Sequence, residues 1–129
     1  MIKPNRVELE EYAGFSTGAT KEQLKQIAGN LMDQGIKNMA ISMGKNGAIF
    51  LWEDYEAECP ALSVTAHSTV GAGDAMVAAM AYAWESKLDR EETIRLCMAA
   101  SAGAVTTIGT KPPTRELVDE LKKQVVMNR

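Results

Sequence analysis

The sequence predicts an α/β fold in which helices and strands alternate along one domain. Three observations carry that prediction. Helical spacing of apolar residues and short apolar runs succeed one another along the 129 residues. A glycine-rich stretch, Gly71-Ala72-Gly73-Asp74, stands where a loop gives way to helical spacing. The composition, 46% hydrophobic and 24% charged, is that of a chain able to bury one core.

The elements follow in order. Glu8 to Tyr12 reads as a short helical piece closed by Gly14, and Asn5 with Glu8 has the spacing of a capping box. Thr20 with Gln23 opens a second helix through Leu24, Ile27, Ala28, Leu31 and Met32, ended by Gly35. Asn38 to Ser42 is a buried strand, Gly44 to Gly47 a turn, and Ala48 to Trp52 the returning strand of a hairpin. The acidic cluster Glu53, Asp54, Glu56 and Glu58 reads as a solvated turn and edge strand. Leu62 to Ala66 is a further strand candidate. From Gly73 the spacing is helical, with Met76, Val77, Met80, Ala81 and Trp84 on one face. Asp89 with Glu92 caps the next helix, through Ile94, Leu96, Cys97 and the small residues 99–104. Pro112-Pro113 breaks the chain, and Thr114 caps a last helix through Leu117, Val118, Leu121 and Val125. No repeat, linker or domain boundary stands out.

Charge and composition exclude several classes. Fourteen Lys and Arg against seventeen Asp and Glu leave a net charge of -3, without the basic excess of a nucleic-acid binder. No apolar run approaches the ~20 residues that span a bilayer, so no membrane partner is expected. The start, Met-Ile-Lys-Pro-Asn, lacks the apolar core of a signal peptide, so the expected compartment is cytoplasmic. Cys59 and Cys97 have no metal-ligand spacing and are weak ground for a disulfide. His67, the one histidine, has no second ligand at any recognisable spacing.

Three constellations can carry chemistry. In Gly71-Ala72-Gly73-Asp74 the glycines allow consecutive N–H groups to face one concavity at a helix N-terminus, which suits an anion. Asp74 beside such a nest opposes an anion unless it has a task, such as accepting a proton. The alternative is an ordinary loop with an acidic residue in the first helical turn. Ser42-Met-Gly44-Lys-Asn-Gly47 is either a plain hairpin tip or a phosphate-following loop. It lacks the Walker A spacing, and the chain has no dinucleotide fingerprint. Lys3-Pro-Asn5-Arg-Val-Glu8 is either a capping box or a ligand-bearing segment.

Taken together and in this order, Lys-Pro-Asn-x-x-Glu, Ser-x-Gly-x-x-Gly and Ser-Thr-Val-Gly-Ala-Gly-Asp resemble the PfkB/ribokinase family of carbohydrate kinases. Lys3, the Ser68-Thr-Val70 lead-in and the tail Gly109 to Leu117 are similar to its phosphosugar branch, which includes 1-phosphofructokinases and tagatose-6-phosphate kinases. The resemblance implies the C-terminal portion of a ribokinase-like three-layer α/β/α fold across residues 1–129. Family members are much longer, so the sugar-binding part and lid are expected to lie outside this chain.

The resemblance also implies roles. Asp74 would be the catalytic base, with the N–H groups of Gly71, Ala72 and Gly73 forming the anion hole. Lys3 would meet nucleotide phosphate, and Asn5 and Glu8 would hold Mg²⁺ through water. Ser42, Gly44 and Gly47 would follow the phosphates and ribose of ATP, with adenine near Ala100 and Gly103. Ser68 and Val70 match a K⁺ site of some relatives. Many of those carry Asp where Ser68 stands, which lowers the expected K⁺ dependence. Fructose 1-phosphate is the first acceptor implied, then tagatose 6-phosphate, with fructose 6-phosphate also in the branch. A different class of reading is a non-catalytic unit, at most a nucleotide-binding module. The blandest is an unrelated α/β domain whose motifs are turns and caps. A truncated sheet would expose an edge, so self-association or a homo-oligomer is expected.

Overall fold

The computed structural model describes residues 3–14, 18–43, 46–62, 72–106 and 114–128. They form α1 (Arg6–Ala13), α2 (Lys21–Met32), β1 (Asn38–Ser42), β2 (Ala48–Trp52), β3 (Tyr55–Cys59), α3 (Ala72–Glu85), α4 (Arg90–Thr106) and α5 (Arg115–Lys122). The chain groups into two compact units, Met1–Glu58 with Asn128–Arg129, and Cys59–Met127. No change of composition marks that division, which is why one undivided domain was expected.

In the first unit the local signals set the helix ends. Asn5 Oδ1 accepts from the Glu8 N–H at 2.8 Å and Glu8 Oε1 accepts from the Asn5 N–H at 2.9 Å. The capping box therefore starts α1 at Arg6, two residues before the expected Glu8. Gly14, at φ 80°, closes it in the left-handed conformation that favours glycine. Thr20 and Gln23 make the same reciprocal pair at the start of α2. Strands β1 and β2 have the expected bounds and pair antiparallel, with Met39 opposite Leu51 and Ile41 opposite Ile49. Those four residues pack with Leu24, Ile27 and Ala28 of α2 in one core, as the period of two along a strand requires.

β3 follows after Glu53 and Asp54 and pairs beside β2, giving the order β1-β2-β3. Both outer strands have partners on their free sides. Asn5 bridges Ser42 at the end of β1, and Asn128 exchanges N–H···O bonds of 2.7 and 2.8 Å with Glu58 of β3.

Of the acidic cluster, Glu53, Asp54 and Glu56 are exposed, as a solvated turn and edge strand requires, and Glu58 is half-buried. Glu58 Oε1 accepts from Lys25 Nζ at 2.6 Å, and Glu56 and Lys21 join the group at 3.6 and 3.5 Å. The Lys25 hydrogen bond holds the Glu58 carboxyl below the usual carboxylate range and raises Lys25 in turn. Glu58 therefore stabilises the fold above its unfolded pKa, and that contribution fades as pH falls through its lower folded value. Glu58→Gln is expected to cost about 1 kcal/mol near neutral pH and progressively less in acid. Urea denaturation at pH 7 and in acid measures this; a loss independent of pH would contradict the pairing.

The second unit is helical. α3 packs on α4 and α4 on α5. Asp89 Oδ1 accepts from the Glu92 N–H at 2.8 Å, and Thr93 Oγ1 donates to the Asp89 carbonyl at 2.7 Å, fixing the start of α4. Lys122 of α5 reaches Glu92 of α4 at 3.1 Å.

Two expectations need correction. The buried face of α3 is Met76, Ala79, Met80 and Ala83. Val77, Ala81 and Trp84 point outward, Trp84 being 81% exposed. Residues 77, 81 and 84 form a helical stripe of their own, beside the one that α4 covers. Val125 is buried but lies beyond the end of α5, since the Lys123 cap closes that helix. The strand expected from Leu62 falls almost wholly outside the described residues, as do His67 and Pro112-Pro113, and Leu62 itself is not in a strand.

Cys59 and Cys97 are free thiols. Burial pushes them up to about 11 and about 12, so both are protonated and inert at neutral pH. Among the described residues, no helix is long and apolar enough to cross a membrane.

Candidate functional site

In the first unit, Lys3-Pro4-Asn5 runs parallel to the end of β1. The Ser42 N–H donates to the Pro4 carbonyl at 3.1 Å, and Lys3 Nζ donates to Ser42 Oγ at 3.0 Å. The starts of the first two motifs are thus joined across 39 positions of sequence. Past Ser42, the Met43 N–H donates to the Gly47 carbonyl at 2.8 Å. Gly47 is buried at φ 91°, where a side chain would be strained. Gly44 lies outside the described residues.

The capping role of Asn5 and Glu8 bears on a metal. Asn5 Oδ1 and Glu8 Oε1 each already accept one backbone N–H. The second carboxylate oxygen of Glu8 and the second lone pair of Asn5 Oδ1 are not used by the cap. Among the described residues, no group of three His, Cys, Asp or Glu side chains is placed to chelate an ion directly. This donor set fits a hydrated Mg²⁺ held through its waters, as such a cation prefers.

Two residues outside the expected set hold this segment in place. Arg6 Nη2 donates to the Ala19 carbonyl, and the Ala19 N–H donates to Glu10 Oε2 at 2.8 Å. Glu10 is buried at 6% exposure and sits 3.6 Å from Arg6 Nε. The pair clamps α1, whose first turn carries Asn5 and Glu8, to the entry of α2. The Arg6–Glu10 spacing of i, i+4 was the legible signal.

In the second unit, Ala72, Gly73 and Asp74 are the first three residues of α3. Their N–H groups belong to the first turn, which has no acceptors within the helix and lies at the positive end of its dipole. Gly73 and Asp74 are exposed and Ala72 is half-buried. A carboxylate at this point is open to a ligand approaching the helix end. Ala100 and Gly103 lie on α4, half-buried and buried, and the Gly103 carbonyl accepts from Thr106 Oγ1 at 2.8 Å. Gly71, Ser68 and Val70 lie outside the described residues.

Comparison with known proteins converges on one family. The pfkB family carbohydrate kinase profile matches residues 1–117. The 1-phosphofructokinase of Vibrio cholerae is 35% identical over 127 residues, covering 97% of this chain and 39% of the relative. The chain thus spans about two fifths of that relative's length. Phosphofructokinase-2 of Escherichia coli, solved in complex with substrates and products, superposes with a TM-score of 0.86 at 26% identity. The likeness covers 95% of this chain and 40% of that one. Ribokinase of Arabidopsis thaliana, complexed with ribose and ATP, superposes at 0.83 with 28% identity over the same shares. Another structure of the Escherichia coli enzyme is a complex with potassium. The α/β class and the likeness to part of the ribokinase-like fold agree with the sequence reading. By its family profile, its relatives and its fold, the chain belongs to the pfkB family of carbohydrate kinases.

Proposed function

We propose that this chain is the C-terminal, nucleotide-binding part of a cytoplasmic, ATP-dependent phosphosugar kinase. The reaction is phosphoryl transfer to fructose 1-phosphate, giving fructose 1,6-bisphosphate. Tagatose 6-phosphate and fructose 6-phosphate are the next acceptors in order. The observation that carries the reading is the junction of Pro4 and Asn5 with Ser42, which seats two family motifs side by side.

Asp74 accepts the proton of the sugar hydroxyl as that oxygen attacks the γ-phosphorus, the bond from γ-phosphorus to the β,γ-bridging oxygen breaks, and ADP leaves with that oxygen. The N–H groups of Ala72 and Gly73, with Gly71, stabilise the charge developing on the transferred group. Phosphoryl transfer suits such a site, because it needs positioning and neutralisation rather than a covalent intermediate. Lys3 approaches the nucleotide phosphates as a point charge. Asn5 and Glu8 orient the waters of Mg²⁺, which when bound offsets the charge of the phosphates. Ser42, Gly44 and Gly47 follow the phosphates and ribose, and Ala100 and Gly103 leave room for adenine. Ser68 and Val70 offer a K⁺ site of minor weight.

The chain covers 39% of its Vibrio relative, which favours a second reading of the chain by itself: a nucleotide-binding module without turnover. Self-association through exposed apolar side chains, such as Tyr82 and Trp84 of α3, accompanies that reading. A monomer in sedimentation at high concentration counts against it.

The kinase reading is tested in a hybrid in which this chain replaces the matching 127 residues of the Vibrio enzyme. The hybrid is expected to convert fructose 1-phosphate with ATP. A folded hybrid without turnover contradicts the proposal.

A further inference from the structure

We infer that the segment after α5 is a strap that closes the outer edge of β3, and that the partner it keeps out is a second copy of this chain. β3 is the last strand of its sheet, with β2 on one side. On the other side Asn128 pairs with Glu58, each donating its N–H to the other's carbonyl, at 2.7 and 2.8 Å. Val125, three residues earlier, is buried and moors the segment. Peptide groups of a strand alternate in direction, so those of Glu56 and Glu58 both point away from β2. Asn128 occupies the outward groups of Glu58.

An open strand edge is a template for pairing, and charged side chains along it are the usual guard. Here that guard is weakened. Lys25 Nζ lies 2.6 Å from Glu58 and 3.6 Å from Glu56, and Lys21 lies 3.5 Å from Glu58. Lysines of α2 therefore offset the two carboxylates whose repulsion would otherwise oppose a second copy. The backbone of β3 is also self-complementary. When two copies meet antiparallel about Ala57, Glu56 of one stands opposite Glu58 of the other, and the outward peptide groups of both are satisfied. With Glu58 held by Asn128 that register is shut, because every such pair needs Glu58.

The test is sedimentation of the 129-residue chain and four variants over a range of concentrations. Deleting Asn128 and Arg129, or Asn128→Pro, which removes the N–H that the Glu58 carbonyl accepts, is expected to add a dimer. The weight-average mass then rises up to about twofold above wild type at the same concentration. Any association through α3 is common to all the chains and cancels in that comparison. Asn128→Ala leaves the mass at the wild-type value, since both bonds are made by main chain. Glu56→Pro in the deletion background returns it to that value. Proline there gives up only an outward N–H, so it blocks a second copy while sparing the pairing with β2. Amide exchange supplies a second readout. At low concentration the Glu58 N–H exchanges about tenfold faster in the deletion variant than in wild type, the scale of one lost main-chain bond, and it regains protection as the dimer forms.

A folded deletion variant with the wild-type mass at every concentration overturns the strap. A gain in mass that Glu56→Pro leaves in place overturns it too, because the association then runs through another surface. So does an equal gain in Asn128→Ala. Unfolding of both strap variants is equally contrary, since a segment that only closes an edge is not what holds the core of α2, β1 and β2 together.

Discussion

Asp74→Asn in the hybrid kinase lowers phosphoryl transfer by ~10²–10⁴, the range a general base supplies. The amide has nearly the shape of the carboxylate but takes up no proton. The effect is expected on kcat, while the affinity for ATP stays within about twofold, since the role proposed for Asp74 lies in the chemical step rather than in ground-state binding. Asp74 stands in the first turn of α3, exposed and beside the N–H groups assigned to the anion hole. Removing its charge also removes a favourable interaction with the helix dipole, worth about 0.3–1 kcal/mol of stability. That loss is too small to mimic inactivation by unfolding. A hybrid that keeps a tenth or more of its rate after Asp74→Asn would remove Asp74 as the base.

Ile41→Ala has the largest expected effect on stability. Ile41 is fully buried, stands opposite Ile49, and packs in the core formed with Leu24, Ile27 and Ala28 of α2. Truncating an isoleucine in such a place costs about 2–5 kcal/mol, because a cavity is left where the sheet and helix cannot fully collapse. Domains are marginally stable, with about 5–15 kcal/mol in all, so much of the margin would go. The residue also precedes Ser42, so loosening β1 loosens the seat of Lys3. Urea denaturation measures the loss, and a change below about 1 kcal/mol would mean that this core relaxes in a way the packing does not imply.

What could be read in the sequence was local. The Asn5–Glu8 and Thr20–Gln23 boxes are reciprocal contacts three residues apart, so residue identity nearly fixes them. The bounds of β1 and β2 follow from short apolar runs closed by polar and glycine residues. Motif order was also legible, because three blocks in sequence need no coordinates. What could not be read depended on partners distant in the chain. Val77, Ala81 and Trp84 make as plausible an apolar stripe as Met76, Ala79, Met80 and Ala83, and the packing of α3 on α4 decides between them. Glu58 looked like one more solvated carboxylate until Lys25 was brought to 2.6 Å from it. The junction of Pro4 with Ser42 spans 38 positions, and no local spacing announces it. The plain readings of the Lys3–Glu8 and Ser42–Gly47 constellations are physically real as well. The capping box and the antiparallel pair of β1 with β2 both form.

The most direct test of the account is a calorimetric titration of the 129-residue chain with ATP and with ADP, each with and without Mg²⁺. The account predicts saturable binding that Mg²⁺ strengthens and that Lys3→Met weakens about tenfold, the scale of a lost contact between charged groups. No heat from a chain shown by circular dichroism to be folded, or binding indifferent to Lys3, would contradict the claim that these motifs form a nucleotide site.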